Sequence, residues 1–224
     1  MFWNHLSAEE KANTLTHLMA TVATLIIAWP LLQLSITNHQ FEIINHQFEI
    51  INHKSSILGT ALFLLGMFLM YLSSTLYHAV TNPVHKRRLR VFDHVSIYVM
   101  IAGSYSLLCT YVLGGWIGWG LFAFLWACVL AGIIGKLVAL GKYPKLSLAL
   151  YLMMGWVALL VLVPLWQRMP HTAFYWILAE GVFYTIGAYF FHLDEERPFY
   201  HAIWHVFIML GSLSHTIATV IILT

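Results

Sequence analysis

Seven long apolar runs separated by short polar breaks limit, more than anything else, what this chain can fold into. A helix needs about 20 consecutive apolar residues to cross a bilayer core, and each run is close to that length. They cover roughly 14–36, 56–80, 93–114, 116–140, 146–166, 171–192 and 201–223. Breaks fall at "TNPVHKRRLR", "LGG", "LGKYPK", "WQRMPH" and "HLDEERPFY", where Pro, Gly and charge are dense. Only 9% of the residues are charged, against about 25% in soluble domains, which excludes an ordinary soluble globule. The expectation is an all-α polytopic protein, a single seven-helix membrane domain over residues 1–224. Trp116, Trp119 and Trp166 near the span ends suit the interface, where indole rings settle.

Charge then orients the bundle. With the N-terminus inside, Lys11, Lys86, Arg87, Arg88, Arg90, Lys136, Lys142, Lys145 and Arg197 lie on the inner side, and only Lys54 and Arg168 outside. Nine against two is a strong positive-inside bias, so the N-terminus is expected in the cytoplasm and the C-terminus outside. The start "MFWNHLSAEEKANTLTH" lacks the basic n-region and short apolar core of a cleaved signal, so the first run is read as a retained helix. A net charge of +2 gives no reason to expect nucleic acid as a partner. Cys109 and Cys128 both lie in apolar runs and read as small hydrophobes.

The first outer loop repeats "NHQFEII" in tandem at 38–44 and 45–51. Phe41, Ile44, Phe48 and Ile51 recur at helical spacing, which suits a short interfacial helix. His39, His46 and His53 lack acidic or Cys partners at chelating spacing, so a duplication tolerated in a surface loop is the better reading.

With this topology, polar groups from four helices meet at one depth on the inner side. The second span ends with Ser74 and His78, and the third begins with Asp93 and His94. The seventh begins with His201 and His205, and the first with Glu10, Asn13 and His17. His201 and His205 are four apart and share a helix face, as do Ser74 and His78. Catalytic Zn²⁺ takes three protein ligands and keeps a position for water, and His78, His201 and His205 would supply three imidazoles. Asp93 is placed to accept a hydrogen bond from that water as general base or orienter. The plainer reading of an HxxxH pair in a membrane helix is packing through interhelical hydrogen bonds. Ionisable residues inside a membrane are functional by default, and their number at one depth favours the metal. His85 and His94, beside the basic loop, read as solvated, and His17 as a satisfied interfacial histidine.

At these motifs the sequence resembles the haemolysin III family of bacterial membrane proteins. That family belongs to the progestin and adipoQ receptor group, in a superfamily of membrane hydrolases that includes alkaline ceramidases. Glu10-x-x-Asn13-x-x-x-His17, Ser74-x-x-x-His78, Phe92-Asp93-His94 and His201-x-x-x-His205 are similar to the family's motifs on its first, second, third and seventh helices. The resemblance covers nearly the whole chain. It implies Zn²⁺ on His78, His201 and His205, with Asp93 holding the metal's water and Ser74 beside it. In the adiponectin receptors such a site is associated with hydrolysis of ceramide's amide bond. It gives no assignment for Glu10, Asn13 or His17, which we read as supports around the ligands.

The leading expectation is a zinc-dependent hydrolase of a lipid amide or ester near the cytoplasmic leaflet, in a bacterial inner membrane. A membrane lipid would be its substrate, reaching the site sideways between helices. Ser74 would donate to the developing oxyanion. Two other classes stay open: a non-catalytic lipid-sensing or membrane-homeostasis protein with a structural zinc, and a cytolysin. Glu180, the only carboxylate deep in a span, lies roughly 18 Å from the inner end of its helix, and His215 roughly 21 Å, at 1.5 Å per residue. They either share a polar interior, or Glu180 is protonated and bonded to a backbone carbonyl.

Overall fold

The computed structural model describes residues 2–37, 46–139 and 142–224. Among these residues there is no strand, and seven helices are long and apolar enough to cross a membrane. A short 3-10 turn, Phe2–His5, precedes α1, Ala8–Thr37. Then come α2, His46–Ala79, and α3, Pro83–Leu107, which runs on as a π-helix over Leu108–Leu113. After them come α4, Gly115–Ala139, and a fifth span, α5, Lys145–Arg168, with a 3-10 stretch at Trp156–Val161. The last two are α6, His171–His192, and α7, Tyr200–Leu223.

Three helix starts come earlier than the sequence reading, α2 at residue 46 rather than 56 among them. Residues 8–13 belong to α1 because Ser7 caps it, its hydroxyl accepting from the Glu10 amide at 3.1 Å. The basic stretch read as a loop forms the first turns of α3. Asn82 accepts from the Val84 and His85 amides at 3.0 and 3.2 Å, and Pro83 stands where a helix has no need of its N–H. Of the tandem repeat, residues 38–45 lie outside the described residues, and α2 begins at His46 inside the second copy.

The "LGG" break behaves as read. Gly114 donates to the Cys109 carbonyl at 3.0 Å, the five-residue spacing of a π-turn, and Gly114 and Gly115 both have positive φ. That left-handed backbone is open to glycine at little cost and turns the chain into α4. Cys109 and Cys128 carry no disulfide.

The helix α2 packs along α1 on one side and α3 on the other, α6 pairs with α7, and α7 closes against α1. Met67, Tyr71 and Met100 anchor the α2–α3 core, and Leu165, Phe174 and Ile222 a second cluster toward the opposite ends of the helices. Leu25, Ile26 and Trp29 of α1, Val138 of α4 and Leu160 of α5 stay exposed, the apolar exterior that a bilayer solvates. The N-terminal turns of α1, α3 and α7 and the last turns of α2 gather at one end, called here the basic end because it carries Lys86 to Arg90.

Candidate metal centre

At the basic end His78, His201 and His205 come together, with one ligand atom from each within 4.8 Å of the others. The His201 ring lies 5.0 Å from His78 and 4.7 Å from His205, centre to centre. His78 and His205 are buried and His201 nearly so, 18% of its side chain remaining accessible. Each ring is fixed through Nδ1. His78 bonds Glu10 at 2.5 Å, His201 bonds Asp194 at 2.6 Å, and His205 lies 3.1 Å from the Thr16 hydroxyl. Thr16 spends its own proton on the Ala12 and Asn13 carbonyls, so it accepts from His205. Glu10 also takes Lys86 at 2.5 Å on its other oxygen, which holds the carboxylate ionised and accepting.

With Nδ1–H donating in all three rings, each Nε2 keeps its lone pair. All three Nε2 atoms are buried and have no hydrogen-bond partner among the described residues. A buried acceptor left without a donor costs about 1–3 kcal/mol, and here that would be incurred three times at one point. A cation there satisfies all three, and imidazole anchored by a carboxylate through its second nitrogen is the usual form of a metal-binding histidine. The residues present therefore fit a metal.

Asp93 and Ser74 stand beside this group and outside it. Asp93 is buried, with the Ser74 hydroxyl beside its carboxylate. Ser74 lies beside Asp93, as the sequence reading placed it. His17 makes no hydrogen bond from either nitrogen; it is stacked on His205 at 3.6 Å and lies edge-on to Tyr71 at 5.0 Å. It buttresses a ligand ring by packing. His94 is not simply solvated: its Nδ1 lies 3.2 Å from the ammonium of Lys136, which also donates to Ser147 at 2.7 Å.

Sequence reasoning missed Asp194 and Thr16. Asp194 belongs to the loop between α6 and α7, whose last residue, Phe199, has a left-handed backbone (φ 64°) with its amide tied to Glu9 at 3.1 Å. That contact docks the start of α7 on α1 and brings His201 within reach of Asp194. His215 and Glu180 meet as one of the two sequence readings expected, Nδ1 to Oε2 at 2.7 Å.

Residues 6–216 match the family described as haemolysin-III related. The chain belongs to that family. Haemolysin-III relatives include "Hemolysin-3" of Bacillus cereus, 38% identical over 143 residues, which are 64% of this chain and 65% of that protein. "Hemolysin-3 homolog" of Bacillus subtilis (strain 168) is 36% identical over 143 residues, 64% of this chain and 67% of its own. The human "Monocyte to macrophage differentiation factor" is 30% identical over 154 residues, 65% of this chain and 62% of its own. The chain thus spans about two thirds of the relatives it matches, slightly less for the Bacillus cereus and human proteins.

Proposed function

We propose that this haemolysin-III family protein is a zinc-dependent hydrolase of a lipid amide or ester, working in the leaflet at the basic end of its bundle. We take that leaflet to be the cytoplasmic one of a bacterial plasma membrane, from the charge bias and the Bacillus relatives. The observation that carries the reading is the cluster of His78, His201 and His205, one ligand atom of each within 4.8 Å of the others, whose three buried Nε2 atoms have no hydrogen-bond partner among the described residues. Three imidazoles, with no fourth protein donor among the described residues, are the catalytic zinc pattern, whereas structural sites are closed by four.

Bound Zn²⁺ supplies a Lewis acid for a carbonyl and lowers the pKa of water to about 7. The remaining work falls to the chain. His78, His201 and His205 would hold the metal through their free Nε2 atoms, and Glu10, Asp194 and Thr16 fix the rings. Asp93 accepts the proton of the attacking water and returns it to the leaving nitrogen or oxygen. Ser74 stands beside the Asp93 carboxylate. One helical turn further in, Met70, Ile97 and Ile208 begin an apolar cavity between α2, α3, α5, α6 and α7. Its lining includes Leu159 and Thr185, both exposed on the outer face of the bundle, so a lipid chain has a lateral way in.

The test is fatty-acid release from ceramide and from ester lipids by purified protein in nanodiscs. Wild type is expected to release it, and Asp93→Asn to be slower by about 10²–10⁴-fold with its metal retained. Turnover by Asp93→Asn at the wild-type rate removes the general base. No release by metal-loaded wild type from any such lipid removes the hydrolase.

A further inference from the structure

We infer that Glu180 and His215 form a polar anchor, deep in the membrane, for a hydroxyl carried on the hydrocarbon chain of a bound lipid. The hydrolase reading enters only in placing the lipid's other end at the metal centre. Both residues are buried, 7% and 1% exposed, and both line the apolar cavity. The buried Phe63 ring packs against the His215 ring at 4.4 Å, tilted by 49°. Along α3 the cavity runs from Ile97 to Leu108, eleven residues and so roughly 16 Å at 1.5 Å each. Its length suits one extended chain.

Most other polar side chains in its wall are already committed, the Trp204 indole N–H excepted. Ser104 donates to the Ile101 carbonyl at 2.9 Å, and Tyr105 to the Gly155 carbonyl. Tyr184 shares a hydrogen bond with Ser212 at 3.2 Å, and Thr185 donates to Gly181 at 2.7 Å while accepting from Trp156 at 3.0 Å. The Glu180–His215 pair is complete on one side only, through Oε2 and Nδ1. Among the described residues nothing donates to Glu180 Oε1, and His215 Nε2 is buried without a partner.

A pair that served only to join α6 to α7 would be outperformed by two apolar side chains, because buried ionisable groups cost more to desolvate than their mutual bond returns. The two open atoms belong to a ligand. Wherever the shared proton sits, Oε1 is an acceptor, so the ligand must donate. A hydroxyl donates to Oε1 and accepts when Nε2 bears a proton; a ketone or a bare chain cannot do the first. His205 and His215 are ten residues apart on α7, so the hydroxyl sits roughly 15 Å from the metal centre. The substrate class is therefore a lipid whose acyl chain is hydroxylated near its middle, not beside the carbonyl.

Direct binding of radiolabelled 12-hydroxystearate, 2-hydroxystearate, 12-ketostearate and stearate to the purified full chain in detergent tests this. The first is expected to bind about tenfold more tightly than the other three, the difference one hydrogen bond to a buried charged group makes. Glu180→Leu and His215→Leu should each reduce that preference to about one while stearate still binds. Equal binding of the four to wild type, no binding of any, or a preference that survives both variants overturns the anchor. The wild-type comparison stands even where a variant misfolds. Since only binding is read, a protein without hydrolytic turnover can still pass, and one with turnover can still fail.

Discussion

At the scale of single residues, the site depends on what holds the second nitrogen of each histidine. The HxxxH spacing made His201 and His205 legible, and matched depth added His78. Glu10 was legible only as a polar group in the right place, and its bond to His78 needed coordinates. Asp194 was hidden by its neighbours: Asp194, Glu195 and Glu196 are consecutive in a loop, where no periodicity says which carboxylate turns inward. Thr16 was hidden because its role comes from which atom its own proton already satisfies. Removing an orienting partner of this kind costs about 10–100-fold in metal affinity. Asp194→Ala and Glu10→Ala are each expected to show that loss in a zinc competition titration against a chromophoric chelator. Unchanged affinity in both would mean the rings are held by packing alone.

Among the elements, helix identity followed from the apolar runs, while helix starts did not. A membrane span read by hydropathy begins where charge ends, but α3 begins ten residues before the expected start at residue 93. Its cap at Asn82 and its Pro at the first position were in the sequence as start signals, and the basic residues masked them. Packing between elements was less legible still, because it depends on how closely two backbones approach. A Cβ on Gly59 of α2 would lie 2.4 Å from the Leu107 Cα of α3, with backbone rather than a movable side-chain tip in the way. Gly59→Ala must push α2 and α3 apart and is expected to destabilise by about 1–3 kcal/mol. Gly120 of α4 has nothing within 4 Å of its Cβ position, so Gly120→Ala serves as the control. Thermal unfolding in detergent should lower the midpoint for Gly59→Ala and leave Gly120→Ala close to wild type. Equal midpoints would show that the α2–α3 seam yields.

For the whole molecule, number and order of spans were readable because hydrocarbon leaves a backbone so few choices. Charge asymmetry assigned the basic end to the cytoplasm, a reading that C-terminal fusions check: alkaline phosphatase fused after Thr224 should be active and a fused green fluorescent protein dark. The opposite pattern would invert the bundle and put the histidine cluster outside. Convergence of four helices on one depth was visible from that topology, but the long cavity beside the cluster was not, since it arises from side chains of five helices failing to meet. The most direct measurement is the metal content of purified wild type beside that of the His201→Ala, His205→Ala double variant, with the zinc absorption edge read for its ligands. About one zinc per chain bound by three imidazole nitrogens in wild type, and almost none in the double variant, is the predicted result. Full zinc occupancy in the double variant would contradict the metal centre outright.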